Sequence, residues 1–143
     1  MKNKIAVIRI RGRIKVRHDI KNALNMLRLY RKNYCAVLDA SPDNLGMIKK
    51  VKDYVTWGEL DDETFKLLVE KRGMPYKSGE KDVRGKIAYK KFIVVGDKKY
   101  KRFFRLHPPK GGFERKGVKI PFSIGGALGY RGDKVNELVK RMI

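Results

Sequence analysis

The sequence predicts an α+β protein in which strands and helices alternate as β-α-β-α-β-α over residues 4–72, followed by a basic carboxyl-terminal extension. Short β-branched runs alternate with stretches whose apolar residues recur at helical spacing. The breaks between these runs are only a few residues long, so no linker divides them. With 143 residues the chain is long enough to bury a core. We therefore expect one domain overall, with residues 73–143 packed on a core formed by residues 1–72.

The first strand and the first helix follow from the patterning of the amino-terminal residues. Residues 5–10 are short and β-branched, and the apolar side chains of Ile8 and Ile10 alternate with arginines. Asp19 places an acid where the dipole of a helix favours it. It opens a predicted helix of about ten residues with the apolar stripe Ile20, Leu24 and Leu27.

The next three elements are a strand, a helix and a strand. Tyr34–Leu38 is a continuous apolar run, which is typical of a strand covered on both faces, and Cys35 is expected to pack inside it. Ser41 before Pro42 predicts a capped helix start, with the stripe Leu45, Ile48 and Val51 behind it. Tyr54–Trp57 is predicted to form a third strand that Gly58 closes.

A third helix closes the core and a less regular half follows it. Acids open the helix, Arg72 and Gly73 end it, and its apolar stripe is Phe65, Leu68 and Val69. Met74–Gly85 is predicted to be a flexible or extended connection because it is polar and rich in turn residues. Phe92–Val95 and Tyr100–Leu106 are predicted to pair as a hairpin.

The carboxyl-terminal part is predicted to be mostly irregular and to end in a helix. His107–Gly132 contains seven of the 14 glycines and three of the five prolines. Asp133 then opens a closing helix, whose predicted buried face is Val135, Leu138, Val139 and Met142.

Positive charge is the most informative part of the composition. The net charge is +21, and the three segments 1–34, 35–72 and 73–143 carry +10, −2 and +13. Two basic ends around a slightly acidic middle favour one surface built for a polyanion, so nucleic acid is the expected partner. A solvated basic surface is the plainer alternative. An anionic membrane is disfavoured, because no long amphipathic helix with a basic face is present.

Several classes of protein are excluded or disfavoured. One cysteine cannot form an intramolecular disulfide, and two histidines with one cysteine cannot complete a structural zinc site. No signal peptide or membrane span is predicted, so the cytoplasm is the expected compartment. No residue pattern indicates catalysis, and we expect no cofactor, metal or small-molecule substrate.

The tract from Phe103 to Phe113 mixes aromatic, basic and glycine residues. Single-stranded or looped RNA is bound by such mixtures, because unstacked bases lie on aromatic and guanidinium planes. The aromatic rings, Phe104 among them, either contact RNA or anchor the loop. RNA contact is favoured for Arg105, His107 and Lys110.

A glycine-rich tract before the closing helix is a second candidate. Its spacing does not match an enzymatic nucleotide-binding loop. It predicts phosphodiester contact through Gly125, Gly126, Tyr130 and Arg131, or else a plain irregular turn. Arg13, Arg31, Arg115 and Lys119 are further candidates in the two basic ends.

Gly46 lies inside the second predicted helix, where glycine costs about 1 kcal/mol relative to alanine. A close backbone contact, either to a neighbouring strand or to RNA, would account for it. The neighbouring lysines are a candidate RNA contact or a solvated face: Lys49, Lys50 and Lys52.

Five motifs in the same order resemble the archaeal form of large-subunit ribosomal protein family thirty. They are Ile8-Arg9-Ile10-Arg11-Gly12, Met26-Leu27-Arg28-Leu29 with Asn33 after it, Gly46 through Glu59, Phe104-Arg105-Leu106-His107-Pro108-Pro109, and Gly125-Gly126-Ala127-Leu128-Gly129-Tyr130-Arg131-Gly132. Each is weak alone, but together they are specific and span most of the chain.

The resemblance implies a β-α-β-α-β core with a small, mostly antiparallel sheet backed by helices. It also implies a non-enzymatic constituent of the large ribosomal subunit, with ribosomal RNA and neighbouring ribosomal proteins as partners. RNA contact carries over by matching positions to Arg9, Arg11, Arg28, Asn33, Lys49, Lys50, Arg105, His107 and Arg131.

The sequence departs from the archaeal pattern between about Gly73 and Phe103. The family usually has a longer, acid-containing helical insert there, whereas this stretch is shorter and rich in lysine, so a helix and a hairpin both stay open. Two other functions are also retained as alternatives to the ribosomal one. They are a free-standing RNA-binding regulator and a small nuclease.

If Arg105 and Arg131 are surface RNA contacts, alanine at either position should weaken RNA binding and leave thermal unfolding unchanged. Leu24→Ala should instead destabilise the fold, because Leu24 is at the centre of a predicted buried stripe.

Overall fold

The computed structural model describes residues 3–77, 79, 83–86 and 92–143. Its strands are β1 (Lys4–Arg9), β2 (Tyr34–Asp39), β3 (Val55–Glu59), β4 (Phe92–Val95), β5 (Lys98–Lys101), β6 (Phe103–Arg105) and β7 (Gly129–Tyr130). Its α-helices are α1 (His18–Met26), α2 (Pro42–Lys50), α3 (Asp62–Arg72) and α4 (Val135–Met142), and short 3-10 turns cover Phe122–Ile124 and Gly132–Lys134.

Five strands form the main sheet in the order β6-β2-β1-β3-β7. The pairs β1–β2, β1–β3 and β2–β6 are antiparallel, and only the short β3–β7 pair is parallel. Strands β4 and β5 form a separate antiparallel hairpin. The predicted α+β class, with its mostly antiparallel sheet, is confirmed.

Side chains alternate along each strand, so both faces of the sheet carry apolar residues, and helices cover both. On one face Ile5 and Val7 of β1 pack with residues of α1 and α2 such as Leu24 and Ile48. On the other face Ala6 and Ile8 pack with α3 and α4. The four residues predicted to form the buried face of the closing helix are all fully buried.

Local sequence signals set several of these boundaries. Ser41 caps α2 as predicted, since its Oγ accepts a hydrogen bond from the Asn44 backbone N–H at 3.2 Å. Cys35 is fully buried in β2, and burial raises the pKa of its thiol to about 12. The stretch 107–132 is mostly irregular, as its glycines and prolines indicate.

Two predictions of element boundaries were wrong. β3 continues through Gly58 to Glu59, so Gly58 does not end the strand. Gly58 is buried, and a Cβ there would lie 2.1 Å from the Gly132 carbonyl oxygen, so this close approach requires glycine. The stretch Tyr100–Leu106 is not one strand: it divides at Arg102, and its two parts join different sheets. The hairpin itself is confirmed, with the turn at Gly96 and Asp97.

Residues from the second half of the chain complete the sheet on both sides. β6 pairs with β2 at one edge, and β7 pairs with β3 at the other. Met74 and Tyr76 hydrogen-bond to β5 through their backbones. Part of the predicted connection Met74–Gly85, namely residues 78 and 80–82, lies outside the described residues. The division into a core and an extension stays a prediction.

Candidate nucleic-acid interface

The topology brings the basic connections to one end of the main sheet. β1 and β6 end there, and β2, β3 and β7 begin there, as the strand registers require. The connections 10–17 and 27–33 flank α1, and the segment 49–54 contains the last two residues of α2 and the turn that leads to β3. Together they contain ten lysines and arginines and one acid. We call this the basic end of the sheet.

Two connections at the opposite end of the sheet have the reverse charge, although Lys4 at the start of β1 and Arg102 before β6 add two cations there. Residues 39–43 and 59–63 together contain six acids and no lysine or arginine. Both follow strands that run away from the basic end, so the antiparallel pairing of β1 with its neighbours separates the charges. The result is a sheet with one strongly cationic end.

Arg9 shapes the loops of the basic end from the inside. Its guanidinium is buried and donates to three backbone carbonyl oxygens, those of Leu29 at 2.7 Å, Arg11 at 2.9 Å and Gly12 at 3.2 Å. Burial lowers the pKa of Arg9, yet an arginine stays protonated. Its charge is therefore used to hold the connections on both sides of α1.

Arg131 plays a similar part for the glycine-rich tract. It is buried, and it donates to Thr56 Oγ1 at 2.8 Å, Glu114 Oε1 at 2.9 Å and the Ala127 carbonyl at 3.1 Å. Its guanidinium also lies 4.8 Å from the centre of the Phe122 ring. These contacts tie residues 114–131 to the start of β3.

The glycine tract does not form one continuous phosphate cradle. Gly126 is buried, and a Cβ at this position would lie 1.9 Å from the Ile120 carbonyl oxygen, so Gly126 permits a close backbone approach inside the protein. Gly125, with φ +96°, and Tyr130 face solvent. Only these two of the four predicted contacts are therefore accessible.

The 19 candidate residues fall into three groups by accessibility. Four are buried: Arg9, Phe104, Gly126 and Arg131. Three are half-buried: Arg11, Arg28 and Asn33. Twelve are exposed: Arg13, Arg31, Lys49, Lys50, Lys52, Arg105, His107, Lys110, Arg115, Lys119, Gly125 and Tyr130. The four buried residues take part in packing or hydrogen bonds inside the protein and offer no exposed surface to RNA.

Helix α2 presents Gly46 and its lysines on the outside of the protein. Gly46 is exposed, and among the described residues no atom beyond its own helix backbone and its chain neighbours lies within 4 Å of the position that its Cβ would occupy. No neighbouring strand therefore requires this glycine, which removes one of its two explanations. Lys49 and Lys50 follow at the carboxyl end of the helix, where cations also interact favourably with its dipole.

Asn33 sits at the junction of three segments of the basic end. Its backbone adopts a left-handed conformation (φ +68°), which asparagine tolerates. Its N–H donates to the Arg9 carbonyl, and its carbonyl accepts from Leu106. The buried Oδ1 has no hydrogen-bond partner among the described residues. Because this oxygen has almost no accessible surface, it offers no contact to RNA in this conformation.

Sequence reasoning missed three further residues of this region. Ile14 and Lys15 are exposed at the tip of the loop after β1. Trp57 lines a groove near Lys52 and Lys119. The sequence predicts the strand that contains Trp57, but its position at the groove depends on the register between β3 and β7.

The described part of the chain has neither a metal-ligand cluster nor a membrane-spanning helix. Within residues 3–77, 79, 83–86 and 92–143, no group of three or more His, Cys, Asp or Glu side chains is arranged to hold a metal ion. Over the same ranges, none of the helices has the length and apolar character that crossing a membrane requires.

Comparisons with known proteins identify relatives over nearly the whole chain. The family model for ribosomal protein L30p/L7e matches residues 5–55. Large ribosomal subunit protein uL30 of Methanopyrus kandleri is 45% identical over 152 aligned residues, covering 94% of this chain and 100% of the relative. The proteins of the same name from Methanococcus maripaludis and Nanoarchaeum equitans are 43% and 40% identical, and each alignment covers 96% of this chain.

Proposed function

Since the chain belongs to the uL30 family of large ribosomal subunit proteins, we propose that it is a structural constituent of that subunit and binds ribosomal RNA through the basic end of its sheet. The observation that carries the proposal is the separation of charge along the strands, with ten cations and one acid in three connections at one end. RNA phosphates supply the counter-charge that these loops need. The family favours this structural role over the nuclease alternative.

The proposed contact surface consists of the accessible candidates at and near the basic end. The exposed and half-buried cations bind phosphates, while the buried Arg9 and Arg131 keep the loops in the shape that the RNA meets. Neighbouring ribosomal proteins are proposed to meet the acidic connections, on ribosomes in the cytoplasm.

The exposed position of Gly46 favours contact with RNA, rather than packing inside the protein, as the reason for a glycine in α2. A glycine in an exposed helix interior costs stability, and none of the residues that the structure describes packs into the space left by its missing side chain. A sugar-phosphate backbone lying across α2 would use it, because the absent Cβ allows close approach beside Lys49 and Lys50. We therefore include α2 in the contact surface.

The test is incorporation into ribosomal subunits in the cells from which the chain comes. A tagged copy carrying Lys49→Glu and Lys50→Glu should sediment away from large subunits in a sucrose gradient, because the reversed charges repel phosphate. The matched control is Lys66→Glu with Lys71→Glu on α3, where both lysines are exposed on the other face of the sheet. That control should still sediment with large subunits.

Two results would contradict the proposal. Unmodified protein that fails to sediment with large subunits would exclude the structural role, and its recovery with messenger RNA instead would favour the free-standing regulator. Equal incorporation of both double variants would show that α2 is outside the contact surface.

A further inference from the structure

A groove opens at the β7 edge of the sheet, beside the basic end. Trp57, Pro121, Leu128 and Gly129 form its walls and floor, and Lys52 and Lys119 stand on its rim. The volume of this cavity is about 280 Å³. We call it the Trp57 groove. No RNA contact predicted from the sequence accounts for its aromatic floor.

The register between β3 and β7 places Trp57 at this groove. Trp57 lies across from Tyr130 in the parallel β3–β7 pair, and the two ring centres are 6.3 Å apart at an interplanar angle of 48°. β7 is only two residues long, and Gly129 (φ +89°) has no atom within 4 Å of its Cβ position. The edge of the sheet therefore leaves open space beside the indole.

Tyr130 is held in place although it is 56% exposed. Its hydroxyl donates to Glu59 Oε1 at 2.5 Å, which is two residues beyond Trp57 on the same strand. A hydrogen bond at the far end of the ring fixes the orientation of its faces. An exposed aromatic ring fixed in this way loses little entropy when a flat ligand stacks on it.

We propose that the Trp57 groove binds one unstacked nucleobase of an RNA loop, which stacks on the indole, while Lys52 and Lys119 bind the phosphates on either side of it. This inference rests on the proposed RNA-binding function and names a subsite within it. Base stacking on aromatic rings next to lysines is how proteins bind single-stranded RNA.

Charge decides between a nucleotide and an apolar protein side chain as the occupant. The rim carries two ammonium groups and one carboxylate, that of Asp53, so the groove is cationic overall. The connection 49–54 adds Lys49 and Lys50 on the same side. An apolar side chain would fill the floor and leave the lysines without a partner, whereas a nucleotide matches both the floor and the rim.

Trp57 is the only tryptophan in the chain, so its fluorescence reports on this groove alone. A short oligoadenylate should quench the Trp57 emission as it binds, because a stacked base is a contact quencher. Inorganic polyphosphate of matched charge should bind the cationic surface and leave the emission nearly unchanged, since it carries no bases. Binding of both probes is followed independently by sedimentation.

Substitutions then separate the ring from the charges. Trp57→Leu should weaken oligoadenylate binding about tenfold and leave polyphosphate binding unchanged, and Trp57→Phe should restore most of the loss. Tyr130→Leu gives a second variant at an exposed position, with an expected loss of a few-fold for oligoadenylate only. Lys52→Gln with Lys119→Gln should weaken both probes more than the matched control Lys66→Gln with Lys71→Gln.

The outcomes distinguish this inference from the function on which it rests. If saturating oligoadenylate binds without quenching Trp57, or Trp57→Leu and Tyr130→Leu both bind it normally, the Trp57 groove is not a base site and the ribosomal function is unaffected. If neither oligoadenylate nor polyphosphate binds at low salt, the proposed RNA-binding function fails as well.

Discussion

Arg9 and Arg131 carry positive charges inside the protein, while Arg105 is exposed to solvent. All three are arginines in tracts that the sequence predicts to contact RNA, so the sequence does not distinguish them. The difference is hydrogen bonding: each buried guanidinium donates to three acceptors of the protein itself. A guanidinium with five donors can hold several segments together in this way.

Alanine at Arg131 should destabilise the protein, in contrast to the expectation from sequence alone. Arg131→Ala removes three hydrogen bonds and the partner of Glu114, and we expect a loss of about 2–4 kcal/mol in the free energy of unfolding. Arg105→Ala should change it by less than about 0.5 kcal/mol, because Arg105 is exposed. Denaturant unfolding of the free protein measures both, and equal effects would contradict the structure.

Cys35 should be unreactive in the folded protein. Its thiol is fully buried, and burial raises its pKa from 9.0 to about 12. A disulfide reagent therefore cannot reach the sulfur, and the reactive thiolate is not formed at neutral pH. In the unfolded chain the thiol ionises near its ordinary pKa. Its contribution to stability is therefore full below about pH 9 and is lost as the pH rises towards 12.

The measurement is the rate of labelling of Cys35 at neutral pH, with and without denaturant. Labelling should become fast only through the unfolding transition. Rapid labelling under native conditions would mean that β2 is open to solvent, contrary to the packing described.

At the scale of elements, α1 and α2 differ in what their open faces indicate. Both pack on the same face of the sheet, yet α2 contains a glycine that no contact among the described residues requires.

The run around Arg102, in the second half of the chain, has uniform strand character but contributes strands to two different sheets. Pairing with β2 takes Phe103–Arg105, and pairing with β4 takes Lys98–Lys101.

Alanine at Gly46 should stabilise the free protein. Its side chain meets no atom within 4 Å, and alanine favours the helical backbone by about 0.5–1 kcal/mol. The same variant should compete poorly with unmodified protein for incorporation into large subunits. A gain in melting temperature with undiminished incorporation would show that RNA does not approach α2 closely.

Leu24 in α1 should contribute strongly to stability. It is fully buried against β1 and α2, so Leu24→Ala is expected to cost about 2–5 kcal/mol. Met26 on the same helix is 72% exposed, and Met26→Ala should have little effect. The two variants have nearly the same helix propensity, so chemical unfolding isolates burial. Similar losses would mean that α1 is packed differently.

At the scale of the whole molecule, the chain topology decides where in space the unevenly distributed charges of the sequence lie. Each antiparallel strand carries its flanking loops to a defined end, so basic stretches far apart in sequence meet at one end of the sheet. The ten lysines and arginines of these segments repel one another, and this repulsion opposes folding. Gathered at one end, they form a surface that RNA can neutralise.

RNA binding should depend steeply on salt. If about eight to ten phosphates are neutralised, the slope of log affinity against log salt concentration should lie between about −6 and −9. Lys49→Gln with Lys50→Gln should make the slope less steep by about 1 to 2 units, while Lys66→Gln with Lys71→Gln should leave it nearly unchanged. A slope near zero, or one unaffected at α2, would contradict phosphate contact there.

The sequence by itself determined the alternation of elements through residue 72, the cap of α2 at Ser41, the buried face of α4 and the excess of positive charge. These depend on neighbours within a few residues, for which hydrophobic spacing and backbone preferences are sufficient. Only the tertiary structure decided that Arg9 and Arg131 point inward, that the run at Arg102 divides, and that Trp57, with Tyr130 beside it, lines a groove. These features depend on contacts between segments far apart in the chain, such as Arg9 with Leu29 and Arg131 with Thr56. Local patterning contains no information about which distant partner will fill a given space.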